Sequence, residues 1–247
     1  MLALNGMQMH GQRILIVGVG GIGAPTAEIC AQCGAELVLA DLRAPTAIAS
    51  AMKAKYGAQT SAYAVDIGSS DSIRTLCASA KNIDGLIIAS GILPEEADML
   101  PGTSEWEESF ASVFDINVRG PMMLAQLVLA DMISRSTGRI VIIGSIAGRN
   151  GGLLSGAQYA ASKGALHAFV RWLALRAAPH GIPVNAVAPG ATATPMLATR
   201  HVDVKKIPLG RLADPIEIAR VVSLLASPAA SYMHGAIVDV NGGAAFS

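Results

Sequence analysis

The sequence predicts a single α/β domain, a doubly wound, seven-stranded parallel sheet with helices on both faces. Three observations predict it. Seven short runs rich in Val, Ile, Leu and Ala alternate with longer stretches of 3.6-residue periodicity, and such alternation implies βαβ crossovers and a parallel sheet. The chain is apolar, with 52% hydrophobic residues and a mean hydropathy of +0.47, as parallel strands covered on both faces require. No Pro-, Ser- or Gly-rich linker, composition shift or 20–50-residue repeat divides the 247 residues.

The elements follow in order. Strand 13–17 (RILIV) runs into the glycine-rich turn 18–23 (GVGGIG) and a helix over 21–33, which Gly34 closes. Strand 36–40 ends at Asp41 and leads to helix 46–56. Strands 61–65 and 85–89 flank helix 70–80. A long helical stretch over 104–134 precedes strand 139–143, and helix 157–178 precedes strand 183–188. Helix 215–226 and strand 236–240 complete the fold. Two helical stretches, 157–178 and 121–133 (PMMLAQLVLADMI), are apolar around most of their circumference. A helix of that kind is buried on every side, so a second subunit is expected over the outer faces, in a homotetramer or homodimer.

Charge narrows the function classes. Eighteen basic residues balance eighteen acidic ones without a long block of either sign, which argues against a nucleic-acid partner. No window holds 18 uninterrupted apolar residues, and the first twelve residues lack the basic and apolar regions of a signal peptide, so neither a membrane span nor secretion is expected. Cys30, Cys33 and Cys77 form no disulfide framework. The Cys30/Cys33 CxxC falls late in a helix, away from the N-terminal dipole that activates redox thiols, and no further Cys/His pair is spaced for a metal. Packing is the expected role of these thiols, a reducing cytoplasm the expected location, and no metal is expected.

The turn after the first strand carries the first chemical signal. Gly18, Gly20 and Gly23 satisfy GxGxxG between a strand and a helix, the context in which the motif cradles a dinucleotide pyrophosphate. Gly18 permits the tight turn, Gly20 a close backbone approach and Gly23 close helix–strand packing, while the helix N-terminus offers unpaired N–H groups, with Gly21 and Ile22 in the same loop. Asp41, 18 residues after Gly23, stands where a carboxylate accepts from the adenosine ribose hydroxyls; a strand-end turn Asp is the plainer alternative. That charge opposes a 2′-phosphate, and the glycine loop holds no Lys or Arg to offset it. NAD is therefore favoured over NADP, with Arg43 as the one nearby cation that could reverse the preference.

Downstream, Tyr159 and Lys163 share one face of a helix, Ser145 sits just past a strand end, and Asn117 lies in FDINVRGP. With GVGGIG, Asp41, Asp66-Ile67, Asn117, GSIAG at Ser145, YAASK, VNAVAPGATATPM, GRLADPIEIARVVSLLAS and GAIVDVNGG in this order, the chain resembles the short-chain dehydrogenase/reductase family over nearly its whole length. The resemblance implies a Rossmann fold, a catalytic tetrad of Asn117, Ser145, Tyr159 and Lys163, and further cofactor contacts at Asp66, Ile67, Ser90, Gly91, Pro189, Gly190, Thr192 and Thr194. Thr194 is alternatively the N-cap of a short helix. Tyr159 then takes or gives the hydroxyl proton of a secondary alcohol or ketone, its phenol acidified by the Lys163 ammonium. Ser145 holds the substrate oxygen, Lys163 also the nicotinamide ribose, and Asn117 a relay water.

Two departures from the family pattern concern cofactor binding. Val17 replaces a threonine and the glycine loop is one residue short, and the NNAG motif reads Ile88-Ala89-Ser90-Gly91. Substrate-side segments are expected at 93–100, 146–154 and 196–206, the last within a lid around 194–207. The first two are mostly apolar and favour a neutral or largely apolar substrate. Arg200, His201, Lys205 and Lys206 are expected on a solvated face, with an anionic group such as a CoA phosphate as the alternative. Arg149 is expected at the surface or an interface, with a substrate carboxylate as its alternative partner. His167 is expected to pack. Rival functions are an NADPH-dependent 3-oxoacyl-thioester reductase and a non-catalytic dinucleotide-binding regulator.

Overall fold

The computed structural model describes residues 6–94, 100–152 and 155–246. Seven strands form one parallel sheet: β1 (Arg13–Val17), β2 (Glu36–Asp41), β3 (Thr60–Ala64), β4 (Gly85–Ile88), β5 (Arg139–Ile143), β6 (Val184–Pro189) and β7 (Ile237–Val240). Their order is β3-β2-β1-β4-β5-β6-β7. The helices are α1 (Gly23–Gln32), α2 (Thr46–Tyr56), α3 (Ser70–Ser79), α4 (Ser104–Phe114), α5 (Gly120–Arg135), α6 (Ala147–Asn150), α7 (Ala157–Ala177) and α8 (Pro215–Ala226). Every expected strand is present, and every expected helix but the long one over 104–134, with ends displaced by at most two residues.

Alternation along the central strands builds two cores. Leu15, Val17, Ile140 and Ile142 face one side, where they meet Ile73 of α3, Leu124 and Val128 of α5 and Leu166 and Val170 of α7. Ile14, Ile16, Val141 and Ile143 face the other, against Ala27 and Cys30 of α1, Met52 of α2 and Ile218 and Val222 of α8. Cys30 touches the Ser223 hydroxyl, and burial pushes its thiol up to about 12, so it packs rather than reacts. β1 pairs with both β2 and β4. Strand order reverses between them, and in open α/β sheets ligands bind in the crevice at the carboxyl ends of such strands.

Two local features depart from expectation. The stretch expected as one helix over 104–134 is broken by a π-helical turn, Asp115–Arg119, between α4 and α5. The single-turn helix α6 falls where only loop was expected. By length and composition alone the run Ser104–Arg135 is apolar enough to cross a membrane, with a hydropathy of 1.2. Leu124, Ala125, Val128, Leu129 and Met132 instead commit its apolar side to the core. Trp172 and Leu175 of α7 and Leu127 of α5 remain exposed, so these helices are less fully enclosed within one chain than their composition suggests.

Candidate active site

A cleft of about 720 Å³ opens at the carboxyl ends of the central strands. Of the expected residues, Gly18, Gly20, Gly21, Ile22, Asp41, Asp66, Ile67, Ser90, Gly91, Ser145, Tyr159, Lys163, Pro189, Gly190, Thr192 and Thr194 all line it. Gly23 and Asn117 do not. Within the expected substrate-side segments 93–100 and 146–154, residues 95–99 and 153–154 lie outside the described residues.

The glycine loop is shaped by close approaches. Gly18 has φ +89°, and a side chain there would come within 2.4 Å of the Ser90 nitrogen. At Gly20 a Cβ would meet nothing within 4 Å, so this backbone is bare toward the cleft. α1 starts here with no side-chain cap and no acidic residue in its first turn, leaving its N-terminal partial charge for an anion. Asp41 has a second task, because its Oδ2 accepts from the Val19 N–H at 2.7 Å and its Oδ1 from Leu42 at 2.7 Å. The carboxylate thus tethers the shortened loop as well as facing the cleft. Arg43 is exposed. The Ser90 hydroxyl is buried without a partner among the described residues, a polar group that a ligand's hydroxyl could satisfy. Thr194 makes no side-chain cap, which removes its alternative role, and it lies beside Gly21. Bare glycine backbone, an uncapped helix start, a carboxylate and an orphaned hydroxyl in one cleft fit a dinucleotide.

The reactive end is assembled from the segment after β5 and from α7. Ser145 follows β5, and its Oγ accepts from the Ala147 N–H at 3.1 Å. Tyr159 and Lys163, one turn apart on α7, are 8% and 4% exposed, so both carry polar ends into an interior. The Lys163 ammonium donates to the Ile143 carbonyl at 3.3 Å and stands 5.6 Å from the Tyr159 ring centroid. Burial pushes its pKa down to about 8. Burial also holds the Tyr159 phenol above its ordinary value, against the Ser145 hydrogen bond and the Arg200 guanidinium, which pull it down. Desolvation therefore outweighs the groups that lower the phenol's pKa, and the expected acidification is not seen here.

Asn117 is fully buried in the π turn. Its Oδ1 accepts from the Ile92 N–H at 2.8 Å, and its Nδ2 donates to the Ile92 carbonyl at 2.9 Å and the Ser162 hydroxyl at 3.2 Å. Its side-chain amide thus holds the segment after β4 rather than facing the cleft. Arg149 is neither at a substrate nor free at the surface, since it pairs with Asp239 at 2.9 Å. His167 is buried as expected, and burial, with Arg149 and Arg171 next, pushes its pKa down to about 4. The lid cations divide. His201, Lys205 and Lys206 are exposed, as expected, with His201 and Lys206 also bordering the cleft, whereas Arg200 donates to the Leu93 and Pro94 carbonyls at 3.3 and 2.6 Å. Ile92, Ile146, Met196 and Leu197 add an apolar wall. Ile146, Met196 and Leu197 fall within the expected substrate-side segments; Ile92 does not, and could have been anticipated from its place past a strand end.

Comparison with known proteins identifies the family. A family profile described as enoyl-(acyl carrier protein) reductase matches residues 18–245. The chain is 32% identical to the 3-oxoacyl-(acyl-carrier-protein) reductase of Aquifex aeolicus over 96% of its own length and 98% of the relative's. It superposes on a short-chain type dehydrogenase/reductase from Mycobacterium marinum with a TM-score of 0.89 and 28% identity, covering 99% of both chains. The chain belongs to the short-chain dehydrogenase/reductase family. As a short-chain dehydrogenase/reductase it is an oxidoreductase with a nicotinamide dinucleotide as cofactor and a small molecule as substrate. Another short-chain relative, the cis-4-hydroxycyclohexanecarboxylate dehydrogenase of Sinomonas cyclohexanicum, is 33% identical over 94% of this chain and 96% of its own.

Proposed function

We propose that this protein is an NAD-dependent dehydrogenase that interconverts a secondary alcohol and its ketone, with a neutral or largely apolar substrate. The observation that carries the reading is the convergence of Ser145, Tyr159 and Lys163 in one cleft whose other side presents bare glycine backbone and Asp41. A bound nicotinamide dinucleotide supplies the two-electron acceptor or donor. Gly18, Gly20, Gly21 and Ile22 would hold its pyrophosphate, with Gly23 keeping the helix start packed against the Gly18 turn, Asp41 its adenosine ribose, and Asp66, Ile67, Ser90 and Gly91 the remainder of the adenosine side. Pro189, Gly190, Thr192 and Thr194 would hold the nicotinamide side.

In alcohol oxidation Tyr159 accepts the hydroxyl proton at its phenolic oxygen, and in ketone reduction it returns that proton. Ser145 orients the substrate oxygen by a hydrogen bond. Lys163 lends positive charge to the phenolate as it forms and binds the nicotinamide ribose. Asn117 holds the loop carrying Gly91 and Ile92 beside Lys163, and a relay water near it would return protons to solvent. The segment 194–207 serves as the lid. The assembly is a homotetramer or homodimer in the cytoplasm, where the three cysteines stay reduced.

A 3-oxoacyl-thioester reductase using NADPH is the second reading, favoured by the Aquifex relative and by His201 and Lys206 at the cleft wall. A panel of secondary alcohols, ketones and a 3-oxoacyl thioester, assayed with NAD(H) and NADP(H) by nicotinamide absorbance, separates the two. The leading reading expects alcohol oxidation and a preference for NAD of at least about tenfold, equivalent to about 1.4 kcal/mol. Preference for NADPH with the thioester replaces it with the second reading. Tyr159→Phe is expected to lower kcat by about 10²–10⁴-fold while dinucleotide affinity is retained. Turnover undiminished in that variant would remove the phenol from the mechanism, and dinucleotide binding without turnover on any substrate would favour a regulator.

A further inference from the structure

Ser145 stands at the end of a strand, where the chain leaves the sheet, so something beyond β5 must hold its hydroxyl still. The next residues form α6, a single turn, and a turn that short has no stability of its own. It is gripped from two sides. Gly148 lies against α7 so closely that a Cβ there would come within 2.6 Å of the Lys163 carbonyl carbon. On the other side Arg149 reaches the edge strand β7, its Nε 2.9 Å from Asp239 Oδ1 and its Nη2 donating to the Ile237 carbonyl at 2.6 Å. Both members of the ion pair are 17% exposed, so the contact is well shielded from water.

Arg149 and Asp239 lie outside the cleft, whereas Ser145, Ile146, Ala147 and Asn150 line it. The guanidinium joins residues about 90 positions apart in sequence. Without it, α6 would keep its packing on α7 and the β6 bonds Gly144 N–H to Val187 and Ile146 N–H to Pro189, but no other hydrogen bond among the described residues would tie its outer side to the sheet. We propose that Arg149 and Asp239 are positioning residues, an ion pair that bolts the turn after Ser145 to the edge of the sheet and so fixes the Ser145 hydroxyl toward the substrate oxygen. The catalytic half of this proposal rests on the reading of Ser145 given above; the positional half does not.

Arg149→Met is the direct test, with Asp239→Asn as the second variant should the unpaired carboxylate prevent folding. Amide hydrogen exchange over residues 146–151 of the ligand-free protein is expected to quicken at least tenfold, with β5 unchanged. On the alcohol that the wild type oxidises best, kcat is expected to fall at least tenfold while NAD affinity, followed by fluorescence, moves less than twofold. Arg149→Lys is expected to restore part of kcat. In a Ser145→Ala background the same Arg149→Met change is expected to cost less than threefold, because residues acting through one group are not additive.

Unchanged exchange overturns the proposal. So does a loss of kcat as large without Ser145 as with it. If the wild type oxidises nothing in the panel, the reading of the site fails, and the exchange measurement still decides the positional half.

Discussion

Lys163 brings an ammonium group into the interior beside the Ile143 carbonyl, and the folded protein holds its pKa at about 8 against 10.5 for an unburied lysine. Between those two values the unfolded chain binds more protons than the folded one, so stability rises with pH across that window. Below about pH 8 the full cost of burying the charge is present. Lys163→Met is therefore expected to stabilise the ligand-free protein near pH 7 and to flatten the rise between about pH 8 and 10.5. Urea unfolding of both proteins at several pH values measures this. A wild-type profile no steeper than the variant's would mean the ammonium is better solvated than its surroundings indicate. The types and spacing of Tyr159 and Lys163 were legible in the sequence, but their electrostatics were not. A four-residue spacing places two side chains on one helix face; it does not say how much water is excluded, and here exclusion outweighs the expected acidification of the phenol.

α8 shows what an element writes into its own sequence. Asp214 accepts from the Ile216 N–H at 3.0 Å, Glu217 reaches back to the Asp214 N–H at 2.8 Å, and Pro215 occupies the first turn. Asp214→Ala is expected to cost about 1 kcal/mol and to lower Tm by about 2–4 °C in a thermal melt, with dinucleotide affinity little changed. A change below about 0.3 kcal/mol would mean that burial of Ile218 and Val222, not the cap, holds the helix start. The π turn at Asp115–Arg119 is the opposite case. Asn117 is drawn toward Ile92 and Ser162, partners 25 and 45 residues away, so the break in the helix has no local signature. Four residues of α6 are likewise too few to show a period.

At the scale of the whole molecule, Phe110 of α4, Leu127 of α5 and Trp172 and Leu175 of α7 are 36%, 40%, 40% and 75% exposed, on helices that pack together. A second copy over this side would bury them, as the apolar composition of α5 and α7 leads one to expect. Size-exclusion chromatography with light scattering is expected to show a dimer or tetramer, and Trp172→Glu with Leu175→Glu to shift it toward smaller species. A wild-type monomer at micromolar concentration would leave that apolar area without its proposed role. By itself the sequence determined the seven-stranded parallel fold, the order of its elements and the residue types that meet at the cleft. The fold and element order follow from periodicity and glycine chemistry, which act over a few residues, and most of the cleft residues from the ordered motifs that resemble the family. Only the tertiary structure decided that Asp41 also tethers the glycine loop, that Asn117 faces Ile92, and that Arg149 reaches Asp239. Each of these is a hydrogen bond between segments far apart in the chain, satisfied only once the sheet has brought them together.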